Sequence, residues 1–241
     1  RAIENEMKRI RQTKKTSEDL SDMMSWYKPG AGNQKILQKM PPEITERLKD
    51  LTGIEKEIEL TYEEVNLIAG ENRGDSYLKI NPFGVVPSLE LPNGEYLNES
   101  VAICEYLEEQ ADFPKLIGDS ANKRATQRSW QRRIELLVSE NIYNAYRFSV
   151  GLEIYKDRVH CIPDAAEDFE KAAQKNLMII DQLIENRTWI CGDWFSLSDI
   201  LLFCALDFGA SVGQPIDTGL LNLNVWFATM MTRESVHLSR G

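Results

Sequence analysis

The sequence predicts a two-part chain, an α/β domain over residues 23–110 followed by an all-helical domain over 118–241. Three observations carry that reading. Strand and helix signals alternate through the first stretch. An Asn93-Gly94 hairpin signal lies between apolar runs bounded by Pro87 and Pro92. From residue 121 onward, apolar residues recur at helical spacing almost to the end. The 241 residues are 42% hydrophobic and 27% charged, an ordinary globular make-up and long enough to bury a core without disulfide staples.

Residues 1–22 are polar and lack the apolar face of a core helix, and they form a basic N-terminal extension. Arg1, Lys8, Arg9, Arg11, Lys14 and Lys15 stand there against Glu4 and Glu6. A basic arm suits an acidic partner or a membrane surface, and a solvated helix or tail is the plainer reading. With Arg at position 1, an upstream segment is expected, a cleaved targeting peptide being one form of it. Met23 to Tyr27 is a strand candidate, followed by a turn at Lys28-Pro29-Gly30 and a helix from Asn33 to Met40. Pro41-Pro42 stops that helix, because proline lacks the N–H and clashes in a helix interior. Ile44, Leu48 and Leu51 then mark a helix over 43–52, and Glu59 to Leu67 is expected as a strand. The Asn-Gly pair favours a type I′ turn between the hairpin strands. Glu99 to Glu109 reads as a helix with Val101, Ile103, Cys104 and Leu107 on its apolar side.

Residues 111–117 form the junction. Beyond it, the periodicity predicts helices over 121–151, 164–186, 196–211 and 222–232. The last but one begins with a capping box. Ser196 and Asp199 stand three apart, with Phe195 and Ile200 at the staple positions.

The net charge of −10 argues against nucleic acid, which needs clustered Lys and Arg. Charge is uneven: residues 1–50 carry 11 Lys and Arg against 8 Asp and Glu, and the rest 17 against 30. The longest apolar run, Ile200 to Leu206, is seven residues, far short of the roughly 20 a transmembrane helix needs. Cys104, Cys161, Cys191 and Cys204 form no C-x-x-C pair, and only His160 and His237 stand beside them as metal ligands, so no metal site is expected. Unpaired cysteines fit a reducing compartment, cytoplasmic or organellar.

Two blocks carry a resemblance. Tyr77-Leu-Lys-Ile-Asn81-Pro82-Phe-Gly84-Val-Val86-Pro87-Ser-Leu and Gly94-Glu-Tyr-Leu97-Asn-Glu99-Ser100-Val-Ala102-Ile103-Cys-Glu-Tyr106-Leu107 resemble the N-P-x-G-x-V-P-x-L and L-x-E-S-x-A-I-x-x-Y-L motifs of the glutathione transferases. Their spacing fits as well, and Ser196-x-x-Asp199 is similar to that family's capping box. Over about residues 22–236 the chain resembles the cytosolic type, closest to bacterial-like members. The resemblance implies a thioredoxin-like first domain and an all-α helical bundle as the second.

It also implies a site. The bond before the matching proline is cis in this family, which makes Val86-Pro87 the expected cis pair. The Val86 backbone then pairs with the cysteinyl part of glutathione as an added strand would. Glu99 and Ser100 stand at a helix N-terminus that favours the γ-glutamyl carboxylate, with Glu99 or a neighbour meeting the amine. Glutathione enters as substrate, and no metal is implied. The same features also serve the fold alone, as cis-proline and cap.

The reactive position departs from the family. Tyr27-Lys28-Pro29-Gly30-Ala31-Gly32-Asn33 resembles the bacterial Y-x-P-G-A-C-S form, with Gly32 where cysteine and Asn33 where serine belongs. Asn33 as a hydrogen-bond donor to the thiolate and Tyr27 as a phenolic donor are the catalytic candidates. From Gly32 to Tyr62 the chain is about twice as long as the resemblance implies, with Pro41 to about Glu55 as surplus and a candidate contact surface. A competing register starts the first strand at Lys35 to Met40 and the helix from Pro42. That restores the spacing and brings Thr45 near the active position. The first register is preferred. Trp130, Arg133, Tyr143 and Tyr146 are candidate walls for a hydrophobic substrate.

Two functions follow. One is a transferase that binds glutathione and joins its thiol to a hydrophobic electrophile. The other is a non-catalytic relative acting as a structural subunit of a larger assembly, organellar in one version, which the missing nucleophile and the extension favour. A homodimer or a larger protein assembly is the expected state.

Overall fold

A computed structural model describes residues 44–239. Tyr27, Asn33, the 1–22 extension and both candidate elements between Met23 and Met40 lie outside the described residues.

Helix α1, Ile44–Glu55, opens the described chain. A 3₁₀ turn at Glu71–Arg73 and the short α2, Asp75–Leu78, lead to the hairpin strands β1, Ser88–Glu90, and β2, Tyr96–Asn98. Helix α3, Ser100–Gln110, follows at once. The strands pair antiparallel as Ser88↔Asn98, Leu89↔Leu97 and Glu90↔Tyr96. The turn between them is not type I′. Gly94 has φ +81°, Asn93 is not in the positive-φ region, and the Gly94 N–H donates to the Leu91 carbonyl at 2.8 Å. Pro92 decides this: its ring fixes φ near −65°, which suits the second position of a type I turn and forbids the mirror-image form.

Residues 59–67, expected as a strand, join no ladder among the described residues. Both first-strand candidates, 23–27 and 35–40, lie outside the described residues.

The second domain is helical throughout. Helices α4, Ala121–Ile134, and α5, Glu140–Phe148, are continuous through a π-turn at Glu135–Ser139. The Leu137 carbonyl there accepts from the side chains of Asn141, at 2.8 Å, and Asn176, at 2.9 Å. Then come α6, Leu152–Tyr155, α7, Ala166–Leu183, α8, Leu197–Ser211, α9, Leu221–Met231, and α10, Glu234–Leu238. Every residue of α8 except Asp207 and Ser211 is buried. A helix apolar on all sides belongs at the centre, and α8 is the axis of the core, among Leu177, Trp226, Phe227 and Ile134.

The capping box at the head of α8 is formed. The Asp199 carboxylate accepts from the backbone N–H of Ser196 at 2.9 Å and of Ile190 at 2.8 Å, from the Ser196 hydroxyl at 2.7 Å and from the Trp226 indole at 2.9 Å. Four donors thus hold one buried carboxyl.

Helix α1 is no surplus. It packs against α3 on one side and α8 on the other, and Leu48 and Leu51 are each 1% exposed. Arg47 pairs with Asp207 of α8, and its guanidinium lies 5.1 Å from the Phe203 ring centroid. The expectation that 41–55 is an added contact surface is corrected for these residues. An apolar stripe of Leu48 and Leu51 with Thr52 between two helices is core, and a free surface would leave it wet.

The junction is equally ordered. Lys56 Nζ lies 3.0 Å from Glu108 Oε2 and donates to the carbonyls of Ala111 and Pro114, while Glu108 accepts from the N–H groups of Leu116 and Ile117. One buried ion pair therefore fixes both ends of the connection between α3 and the helical domain.

Candidate functional site

The loop 81–87 is built before it can do anything. Asn81, 1% exposed, donates through Nδ2 to the Val85 carbonyl at 2.8 Å and accepts from the Phe83 N–H at 3.1 Å. The Tyr77 hydroxyl donates to the same Val85 carbonyl at 2.9 Å. Asn72 Nδ2 donates to the Gly84 carbonyl at 2.6 Å. Gly84 has φ +62°, and a Cβ there would lie 2.8 Å from the Asn72 carbonyl oxygen. Only glycine meets both demands. The Val86–Pro87 bond is cis.

Past the proline the chain enters β1. The register then does the essential work. Ser88 faces Asn98, and the Ser88 hydroxyl donates to Asn98 Oδ1 at 2.6 Å. The residues just outside that pair are Val86-Pro87 on one strand and Glu99-Ser100 on the other. Four candidates separated by a dozen residues in the chain are therefore brought to one end of the hairpin. Val86 is 8% and Ser100 9% exposed, while the Glu99 side chain faces solvent.

Glu99 has φ +71° and ψ 113°, rare for a residue with a side chain. It precedes α3, whose N-terminus has no side-chain cap, and the Glu99 carboxylate makes no hydrogen bond or ion pair with any described residue. The first N–H groups of a helix have no partner within it, and they carry the positive end of the helix dipole. Backbone N–H groups and an unengaged carboxylate side by side suit a small zwitterion with its own carboxylate and amine.

The thiols of Cys104, Cys191 and Cys204 offer no alternative chemistry. Burial pushes Cys104 up to about 12 and Cys191 up to about 11, and it raises Cys204 further. A nucleophilic cysteine needs the opposite shift. Among the described residues, no group of three or more His, Cys, Asp or Glu is placed to hold a metal, and no helix is long and apolar enough to cross a membrane.

Trp130, Tyr143 and Tyr146, candidate walls by sequence, are 5%, 8% and 3% exposed and belong to the core. Arg133 is exposed and lies over the Trp130 ring at 5.4 Å. The sequence reading missed Asn72, which fastens Gly84. Its only signal was the Gly70 to Gly74 run around it, which reads as a loop.

The first domain matches the family model described as glutathione S-transferase, N-terminal domain, over residues 50–110, and the second matches glutathione S-transferase, C-terminal domain, over 161–234. A maleylacetoacetate isomerase of Pseudomonas aeruginosa is 33% identical over 155 residues, 64% of this chain and 71% of that protein. The chain belongs to the glutathione transferase superfamily. Glutathione S-transferase GstA of Escherichia coli O157:H7 is 27% identical over 225 residues, covering 89% of this chain and 95% of that one. An elongation factor 1-gamma of Prunus avium is 32% identical over 161 residues, 66% of this chain but 35% of that protein. Among solved structures, Gtt2 of Saccharomyces cerevisiae superposes with a TM-score of 0.76 at 23% identity, over 82% of this chain and 96% of that one. The glutathione transferase fold, a small α/β domain followed by a helical one, is therefore the fold of this chain.

Proposed function

We propose that this glutathione transferase relative binds glutathione at the head of the hairpin and transfers its thiol to an electrophile held between the two domains. The observation that carries the reading is the register Ser88↔Asn98, which sets Val86-Pro87 beside Glu99-Ser100. Val86 and Pro87 take the cysteinyl part by strand addition. The N–H groups at Ser100 receive the γ-glutamyl carboxylate, and Glu99 receives the amine. The left-handed backbone at Glu99 supports this, since conformations costing about 1–3 kcal/mol collect at ligand sites.

The packing of α1 favours the register in which it is the first helix of the domain, which puts Thr45 at its opening turn. Binding and orientation then carry the rate. Asn33 and Tyr27 remain donors in the other register. The protein works in a reducing compartment, as a homodimer or within a larger assembly.

Retention on immobilised glutathione, followed by a conjugation assay with a generic electrophile, tests the proposal. Retention with turnover supports it, and loss of retention in Glu99→Ala places the ligand. Retention equal to the parent's in that variant rejects the placement.

The second reading is a non-catalytic subunit. It is favoured by the likeness to elongation factor 1-gamma, a protein named for another role, in which the matched part is 35% of the whole. Retention without turnover, and elution from gel filtration of a cell extract far above 27.6 kDa, support it instead.

A further inference from the structure

We propose that Arg147 reads an anion at the seam of the two domains, and that the electrophile carries a carboxylate for it. That this ligand is an electrophile rests on the thiol-transfer reading. Arg147 lies in the last turn of α5. Its guanidinium carbon is 3.9 Å from the Tyr143 ring centroid and 5.5 Å from that of Tyr155. The hydroxyls of those two tyrosines are hydrogen-bonded to each other at 3.2 Å. Phe208 packs on Tyr143 and Tyr146, with centroids 5.4 Å apart in both pairs. The guanidinium therefore rests on a fixed aromatic shelf.

What Arg147 lacks among the described residues is an acceptor. Its Nε is buried with no hydrogen-bond partner, and it makes no ion pair with any described residue. The other described arginines withdrawn from solvent each reach an acceptor, although Nε and Nη2 of Arg47 make no hydrogen bond of their own. Arg47 has Asp207, Arg233 has Glu55, and Arg124, Arg158 and Arg187 reach the carbonyls of Gly118, Ile68 and Ile190. With one face stacked and Nε dry, the terminal nitrogens of Arg147 are left as a planar fork at the rim, the shape that takes a carboxylate in two parallel bonds.

The place is right for a co-substrate. Phe208 adjoins Asp207, whose partner Arg47 lies in the first half of α1. On the other side, Arg158 donates to the Ile68 carbonyl at 3.3 Å, tying the turn after Tyr155 to the first domain. The shelf is thus bracketed by two contacts between the domains. The plainer alternative is a cation settled at the negative end of the α5 dipole, which would bind nothing.

The test is isothermal titration calorimetry of the full chain with 4-phenylbutanoate and its uncharged counterpart 4-phenylbutanamide. We expect the carboxylate to bind tighter by about tenfold or more, the weight of a charge-assisted pair. Arg147→Gln removes that preference at an unchanged melting temperature, and Arg147→Lys, with its charge but no fork, keeps part of it. Equal affinity for the two probes in the parent, no binding of the carboxylate, or an undiminished preference in a folded Arg147→Gln each overturn the proposal. Should that variant not fold, the parent comparison and Arg147→Lys decide. A parent that prefers the carboxylate but is not retained on glutathione keeps the anion site and loses the thiol-transfer reading. One that is retained but treats the probes alike loses only the anion site.

Discussion

Arg233 grips Glu55 with both arms: its Nε and Nη2 each lie 2.7 Å from a carboxylate oxygen, across 178 residues of chain. The Ser235 hydroxyl adds a third bond at 2.5 Å, and the Phe195 ring lies under the guanidinium at 3.6 Å. The end of α1 is thereby bound to the approach to α10. The last described helix of the second domain is thus held by the first described helix of the chain.

Arg233→Lys is therefore not conservative. A lysine has the charge but neither the fork nor the flat face. We expect a loss of about 1–2 kcal/mol for Arg233→Lys, and about 2–4 kcal/mol for Arg233→Ala, which strands a largely buried carboxylate. Urea denaturation measures both. No loss in Arg233→Lys would show that geometry contributes nothing.

The Lys56–Glu108 pair makes a sharper case, because the side chains are 0% and 4% exposed. Lys56→Met leaves Glu108 charged and buried and frees the Ala111 and Pro114 carbonyls, at a cost of about 3–5 kcal/mol. Removing both charges in Lys56→Met/Glu108→Leu should not restore stability, since the Leu116 and Ile117 N–H groups lose their acceptor. Recovery to the parent's midpoint in the double variant would mean that the junction carbonyls and amides find other partners.

Asp199 gives a pH dependence. Burial, working against its four donors, raises this carboxyl from 3.8 to about 6. A carboxyl whose folded value lies above its unfolded one stabilises the fold most in acid. Its contribution is full below about pH 4 and is lost as pH rises through about 6, by up to about 3 kcal/mol. The parent should lose stability relative to Asp199→Asn between about pH 4 and about pH 6.5. Parallel stability curves for the two proteins over that range would place the carboxyl at its ordinary value.

Glu99→Gly separates fold from function. The left-handed backbone at φ +71° suits glycine, so the strain goes and stability should rise by about 1 kcal/mol. Retention on glutathione should fall, because the carboxylate has gone. A gain in both would remove Glu99 from the site. Thermal unfolding beside the affinity column reads the two effects together.

Much of this was legible in the chain. The spacing of Ile103, Cys104 and Leu107 gave α3 to within a residue or two, because an amphipathic helix must repeat near 3.6. Ser196 and Asp199 announced the head of α8, since a cap is a local contract between neighbours. The motif around Asn81, Gly84 and Pro87 marked the cis-proline loop, for its turn needs those residue types wherever it folds. What escaped was set by distant contacts. Leu48 and Leu51 gave a helix but not its neighbours, so α1 looked like surplus until α3 and α8 were seen on either side of it. Tyr143 and Tyr146 gave aromatic residues on a helix, but not whether their rings would line a cleft or fill the core.

By itself the sequence determined the two-domain order, the hairpin and its proline, the cap of the central helix and the family. These depend on periodicity and on residues a few positions apart, where backbone sterics leave little choice. Only the tertiary structure decided that residues 86–87 and 99–100 share one end of the hairpin, that Lys56 and Glu108 lock the junction, and that Arg147 is stacked without an acceptor among the described residues. Those facts depend on which faces meet across tens of residues, and no local preference encodes a partner that far away.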